Sequence, residues 1–186
     1  MASVFKEGKM ASNTLDIMLA SAMVYESTDP VAVKDGSLVV LGDLLTDDTF
    51  STYSITKVQY DAYKAAKPAA ATDEVVIVDY AGISEGGING NNYKLGNKLY
   101  DLSVPAGTLT RVRRLALHDK FWLGEDNFAS APTVGQFATA AANAYTHAPA
   151  NALPESGYAV KILASEDLTA GMASKGKLYL VEVVQL

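Results

Sequence analysis

The motif in this sequence that comes nearest to a catalytic site is Gly82-Ile-Ser84-Glu-Gly86, which matches the Gly-x-Ser-x-Gly nucleophile elbow. In that elbow a helix follows the serine at once, holds it in a strained turn and supplies backbone N–H groups to an oxyanion. Here glycines and asparagines follow, and these are poor helix formers. We therefore reject a hydrolase at Ser84, although Asp101 and His118 stand in the chain order of an orienting acid and a base.

Residue types that bind metals or cofactors are scarce. The chain has two histidines, His118 and His147, far apart in sequence, and no cysteine, which excludes thiolate zinc sites and disulfides. Asp43, Asp47 and Asp48 lack the EF-hand spacing, so they are better explained as an acidic loop. The phosphate-binding glycine motifs are also missing. We predict no catalytic residue, no metal ligand and no cofactor.

The charge and hydropathy exclude two further classes of protein. A net charge of -6 disfavours binding to nucleic acid, because neutralising phosphates requires a basic surface. No apolar run approaches the 18 or more residues that cross a bilayer, and charges interrupt the N-terminus where a signal peptide would be apolar. We expect a protein made in the cytosol that binds neither nucleic acid nor membrane.

All three arginines of the chain, Arg111, Arg113 and Arg114, fall within four residues. On a strand, Arg111 and Arg113 project from one face and Arg114 from the other, forming a fork that can bind carboxylates. One interpretation is a contact with a partner or another subunit, where arginine is favoured. The other is an exposed edge strand that is kept from pairing by its charge.

Other candidate contact residues lie at the N-terminus, in the middle of the chain and at its tryptophan. Val4 and Phe5 stand alone in the polar segment 1–12, which predicts an arm that is disordered or docks on a neighbour. Asn89 marks the apex of a loop rich in glycine and asparagine, residues 82–92. Trp122, the single tryptophan, suits a packing anchor better than a ligand platform.

The elements that must position these residues are mostly strands. We predict a mainly β chain, an antiparallel β-sandwich or barrel with a few short helices and an extended N-terminal arm. Residues 1–28 form the arm and a short helix, and residues 29–186 form a β-rich body with a possible small lobe around 68–110. Helices are predicted over Thr14–Tyr25, where an extended segment is the alternative, and over Lys57–Ala66, and a hairpin turns at Asp35-Gly36. The predicted strands include 74–80, 93–95, 98–104, 109–117, 120–123, 158–163 and 177–186. The last of these is predicted to be central in its sheet. Segment 133–145 is either a helical turn or a strand.

The last part of the chain, residues 117–186, contains a series of turn and strand patterns without a catalytic signature. These are Leu117-His-Asp-Lys-Phe-Trp-Leu-Gly-Glu-Asp-Asn-Phe128, Thr133-Val-Gly-Gln-Phe-Ala-Thr139, His147-Ala-Pro-Ala150, Leu153-Pro-Glu-Ser-Gly-Tyr-Ala-Val-Lys-Ile-Leu163 and Tyr179-Leu-Val-Glu-Val-Val184. Together they resemble the C-terminal region of head decoration (cementing) proteins of tailed bacteriophages. The resemblance covers a little over a third of the chain.

The resemblance implies a β-rich virion protein that binds the major capsid protein on the outside of the capsid, stabilises the shell, and is often a trimer. It supplies no catalytic residues. An alternative is a tail- or fibre-associated module that binds a host glycan through Tyr and Trp side chains. Loop 82–92 has no counterpart that we can name, which leaves open an outward-facing adhesive lobe.

Overall fold

We describe the fold from a computed structural model, which covers residues 5–45, 62–80, 103–170 and 173–186. The described chain is almost entirely β, and its helical parts are single 3₁₀ turns at Ala11–Asn13, Asp16–Met18 and Glu125–Asn127. The strands are β1 (Phe5–Glu7), β2 (Leu19–Glu26), β3 (Asp29–Pro30), β4 (Val33–Lys34), β5 (Leu38–Leu44), β6 (Ala62–Ala66), β7 (Val76–Asp79), β8 (Ser103–Val104), β9 (Thr110–Arg114), β10 (Lys120–Gly124), β11 (Phe137–Ala140), β12 (His147–Ala150), β13 (Ala159–Ala170) and β14 (Ala173–Gln185).

Five of these strands close into a small barrel. Their order is β2-β6-β5-β7-β9, and β9 pairs back onto β2. All the pairings are antiparallel except β2 with β6, which is parallel. The barrel is narrow, and its interior is filled by small side chains such as Ala20, Ala22, Ala65, Val78 and Val112. Alanine, of which the chain has 28, is therefore a packing residue here.

The remaining long strands form a six-stranded sheet in the order β1-β10-β14-β13-β11-β12. Strand β14 lies in the middle, between β10 and β13, which confirms the prediction that the closing apolar strand is central. Every pairing in this sheet is antiparallel.

A second core joins the sheet to the barrel wall. It contains barrel residues that point outward, such as Leu38 and Ile77, together with sheet residues such as Phe121, Val160 and Val181, all 1% exposed or less. Side chains alternate along each barrel strand, so that Ile77 faces the sheet while Val76 and Val78 face the barrel interior. The prediction of a mainly β chain with sheets packed face to face is confirmed.

Both predicted helices are wrong in the described residues. Residues 19–26 form β2, the extended alternative, because Ala20, Ala22 and Val24 alternate into the barrel interior and side chains this small fit there. Residues 62–66 form β6, in which Ala65 packs in the barrel interior, while residues 57–61 of that prediction lie outside the described chain. Segment 133–145 contains strand β11 and therefore follows the strand alternative.

The predicted hairpin at Asp35-Gly36 is a turn whose flanking strands separate. The turn exists, since Ser37 N–H donates to Lys34 O at 3.2 Å, and Gly36 has a φ of +76° that favours glycine. However, β4 pairs with β8 and β5 pairs with β6 and β7. The strands diverge because the Asp35 carboxylate is buried and binds backbone from two other parts of the chain.

Candidate interaction surfaces

The arginine fork on β9 binds carboxylates of its own chain. Arg111 and Arg113 share the outer face of the barrel, as the strand spacing predicts, and both Nε atoms donate to Asp79 Oδ2, at 2.7 and 2.6 Å. Glu7 on β1 accepts from both guanidinium groups, and Arg113 is further bonded to Asn13 Oδ1 at 3.0 Å. Arg113 is only 3% exposed. This pair of arginines therefore fastens the N-terminal strand to the barrel wall.

Strand β9 is not an edge strand. It pairs with β7 on one side and with β2 on the other. The interpretation of the arginines as charges that protect an exposed edge is therefore wrong. Arg113 and Asp79 are instead buried between the barrel and the six-stranded sheet, where solvent screens their ion pair only weakly.

Arg114 differs from the other two arginines. It projects from the opposite face of β9, as predicted, and its guanidinium lies over the Tyr63 ring, 5.8 Å from the centroid. Its Nη1 donates to Ile17 O at 3.2 Å. Among the residues that the structure describes, no carboxylate pairs with it. Arg114 is thus a half-buried cation held by neutral groups.

Four strongly exposed aliphatic side chains lie on the chain segments that meet near Arg114. Ile17 is 80% exposed, and Leu15, Leu117 and Leu186 are each between 51% and 55% exposed. Two contacts show that the segment of Leu15 and Ile17 runs beside that of Leu117: Ala11 N–H donates to Asp119 Oδ1 at 2.7 Å, and Arg114 binds Ile17 O. We call these four residues and Arg114 the aliphatic end surface. Clustered exposed aliphatics of this kind are typical of protein contact sites.

A cleft of about 350 Å³ adjoins the aliphatic end surface. Arg114 and Leu186 line it together with Glu74, which is exposed and forms no ion pair with another described residue. Leu115 and Val76 contribute an apolar floor. Asp73 also lines the cleft, and its Oδ2 accepts from the N–H groups of Ala69 and Ala70. The cleft therefore contains one cation and two carboxylates, and among the described residues neither carboxylate is paired with Arg114.

A chain of buried polar groups connects the two β layers. Asp35, 3% exposed, accepts from Phe5 N–H and Tyr80 N–H, both at 2.9 Å, and its carbonyl accepts from Asn127 Nδ2 at 2.6 Å. His147 Nδ1 lies 3.1 Å from Asn127 O and Nε2 lies 2.9 Å from Tyr158 Oη. Because a carbonyl only accepts, Nδ1 carries the proton and Nε2 accepts from the tyrosine.

Burial shifts the pKa values of the ionisable side chains among these buried polar groups. It raises the pKa of the Asp35 carboxyl from 3.8 to about 6, against the lowering effect of the Tyr80 and Phe5 N–H donors. It lowers the pKa of His147 from 6.5 to about 4 and raises that of Tyr158 well above its usual value. Sequence reasoning missed these residues, because their partners are far apart along the chain and Asp35-Gly36 is typical of an ordinary turn.

Strands β13 and β14 extend beyond the rest of their sheet. Strand β11 pairs with residues 159–161 of β13, and β10 pairs with residues 178–182 of β14. Beyond these paired residues, β13 and β14 pair only with each other in the described chain, as far as Ala170 and Ala173. We call residues 165–170 and 173–177 the projecting ribbon. Ser165, Glu166 and Lys177 on it are exposed.

The other predicted contact residues are placed as follows. Phe5 is 8% exposed and packs on Phe121 with 5.5 Å between ring centroids, so this part of the arm docks on its own body. Trp122 is half-buried on β10, between Lys6 and Leu180 of the neighbouring strands. Val4 and Asn89 lie outside the described residues.

Of the three candidate hydrolase residues, the structure describes His118 alone. Asp101 lies outside the described chain, and so does loop 82–92, which contains Ser84. His118 is largely exposed, and its Nδ1 lies 3.1 Å from Glu182 Oε1. In the described ranges, no cluster of three or more His, Asp or Glu side chains is arranged to hold a metal ion. None of the helices in these ranges has the length and apolar character needed to cross a bilayer.

Comparisons with family models, with curated proteins and with solved structures find no match for this chain.

Proposed function

We propose that this chain is a structural protein of a tailed-phage virion that binds the major capsid protein on the outer surface of the capsid and stabilises the shell. The observation that carries the proposal is the projecting ribbon, residues 165–170 and 173–177, because it lies inside the segment 117–186 that resembles decoration proteins. That segment supplies five of the six strands of one sheet, so the resembling part of the chain is also a structural unit.

The ribbon has the properties of a docking element. A two-stranded ribbon without further neighbours is marginally stable in water, and it gains stability when a partner covers it. Its outer edges offer backbone N–H and C=O groups to a strand of another protein. A partner that binds only the folded ribbon stabilises both components of the complex.

The buried ionisable groups of the described chain suit a structural role. Arg113 joins β1 to the barrel, while Asp35 and His147 lie in the polar chain between the two β layers. Each of them is engaged in hydrogen bonds inside the protein. In this proposal the chain acts through its surfaces and catalyses no reaction.

The test is binding to purified capsids that lack this protein. In a shortened variant, Asn-Gly replaces residues 167–177 and joins Glu166 to Leu178, which are paired opposite each other. The core is untouched, so the variant should fold and yet bind capsids at least about tenfold more weakly. A matched control exchanges the paired charges (Asp167→Lys with Lys177→Asp), which keeps the length and net charge of the ribbon, and should retain binding.

Co-sedimentation with capsids over a range of protein concentrations measures the affinity. Undiminished binding by the shortened variant would show that the ribbon is not the docking element. Wild-type protein that binds host cells but not capsids would refute the proposal and favour the glycan-binding module.

A further inference from the structure

We propose that the aliphatic end surface binds the same surface of a second copy of this chain, forming a two-fold dimer in which Arg114 of each copy pairs with Glu74 of the other. This inference concerns contacts between copies and does not depend on binding to a capsid. It also differs from the trimer that the resemblance implies.

The first argument is the apolar character of the surface. Leu15, Ile17, Leu117 and Leu186 are each more than half exposed. The contacts of Ala11 and Arg114 bring the segments of the first three together, and Leu186 lines the same cleft as Arg114. They make up four of the seven large hydrophobic residues that are strongly exposed in the described chain. A cluster of this kind is stabilised when a protein surface covers it.

The second argument is the pair of opposite charges formed by Arg114 on the aliphatic end surface and Glu74 in the adjoining cleft. Arg111 and Arg113 bind carboxylates, whereas Arg114 is held by the Ile17 carbonyl and the Tyr63 ring. Glu74 lines the same cleft, yet no ion pair joins it to Arg114. The surface therefore carries both halves of a salt bridge without forming one within the chain.

Two-fold symmetry satisfies these charges together. In an isologous interface, residue i contacts residue j of the other copy and residue j contacts residue i. Arg114 and Glu74 therefore form two equal pairs between the copies, while Asp73 in the same cleft keeps its bonds to the N–H groups of Ala69 and Ala70. A partner of uniform charge would satisfy only one of the two groups. A second copy also brings its own aliphatic residues against those of the first, and this selects it as the occupant.

The experiment is analytical ultracentrifugation of the full chain. Wild type should sediment as a dimer at about 100 µM, a concentration at which a micromolar interface is occupied. Arg114→Glu and Glu74→Arg should each raise the dimer dissociation constant at least about tenfold, because each places like charges opposite one another. The combined variant should restore the constant to within about threefold of wild type.

Two further variants separate the surface from the fold. Ile17→Asp changes a residue that is 80% exposed, so the chain should stay folded and become monomeric. Val134→Asp makes the same kind of change at a residue that is 50% exposed beside β11, and it should leave the dimer intact. Trp122 fluorescence during urea unfolding checks that each variant is folded.

A wild-type monomer at about 100 µM would overturn the inference, and so would a dimer that Ile17→Asp and Glu74→Arg leave unchanged. A trimer that these variants dissociate would overturn the two-fold pairing. The two proposals can be separated with the monomeric Ile17→Asp variant. If it still binds capsids, the contact with the shell does not require the contact between copies.

Discussion

The buried pair Asp35 and His147 should oppose each other in their effect on stability as the pH changes. The Asp35 carboxyl takes up its proton near pH 6 in the folded chain and near 3.8 in the unfolded chain. Lowering the pH from 7 to 4 therefore favours the folded state. At 1.36 kcal/mol for each pH unit, and with the unfolded carboxyl still partly ionised at pH 4, this gain is about 2.4 kcal/mol.

His147 acts in the other direction over the same range. Its imidazole takes up a proton near pH 6.5 in the unfolded chain and only near 4 in the folded chain. Lowering the pH from 7 to 4 therefore favours the unfolded state, by about 3 kcal/mol on the same arithmetic. The two contributions to the free energy of unfolding should cancel to within about 1 kcal/mol in the wild-type protein.

Single substitutions should expose each contribution. For His147→Gln, the loss of stability relative to wild type should be about 3 kcal/mol smaller at pH 4 than at pH 7, because the advantage of the neutral histidine disappears in acid. For Asp35→Asn, the loss should be about 2.4 kcal/mol larger at pH 4 than at pH 7, because wild type gains from protonation and the variant does not.

The assay is urea unfolding followed by Trp122 fluorescence at half-unit steps of pH. Tyr158→Phe is the control, since it removes the hydroxyl bonded to His147 Nε2 without removing the imidazole. A loss of stability for His147→Gln that is the same at pH 4 and pH 7 would refute the assignment of a neutral, buried histidine. The same pH-independent result for Asp35→Asn would refute the raised carboxyl pKa.

Three further predictions concern the joint between the layers and the two ends of the described chain. Arg113→Met should cost about 2–4 kcal/mol in urea unfolding, because the buried Asp79 loses one of its two arginines. Phe5→Ala should cost about 3 kcal/mol in the same assay, since it empties a buried site beside Phe121, and a cost below about 1 kcal/mol would show that β1 is not part of the core. Deleting Val181–Leu186 should make the protein insoluble, and a soluble product that melts cooperatively would contradict the central position of β14.

The sequence predicts well those features that depend on a local period. The apolar character of β14 on both faces correctly predicts a central strand. The two-residue period of a strand correctly separates Arg111 and Arg113 from Arg114. Even the affinity of the fork for carboxylates is correct, although those it binds belong to the same chain.

The features that the sequence does not predict depend on distant parts of the chain. Closure of the barrel requires β2 to pair with β6 and β9, and nothing near β2 encodes those partners. Its alanines fit a helix and a narrow barrel equally well, so the local pattern gives the wrong element. In the same way Asp35 meets Phe5 and Tyr80 only after folding, and the sequence alone shows a turn residue.

The order of strands in the six-stranded sheet also constrains how the protein is made. Strand β10 lies between β1 and β14, so residues 120–124 find neighbours that are synthesised long before and long after them. The barrel strands, by contrast, all precede β10 along the chain. During translation the barrel is therefore free to close first, while the edge of β10 that faces β14 stays unpaired until β14 leaves the ribosome. Aggregation during synthesis should be greatest in that interval, and slower elongation after residue 124 would lengthen it.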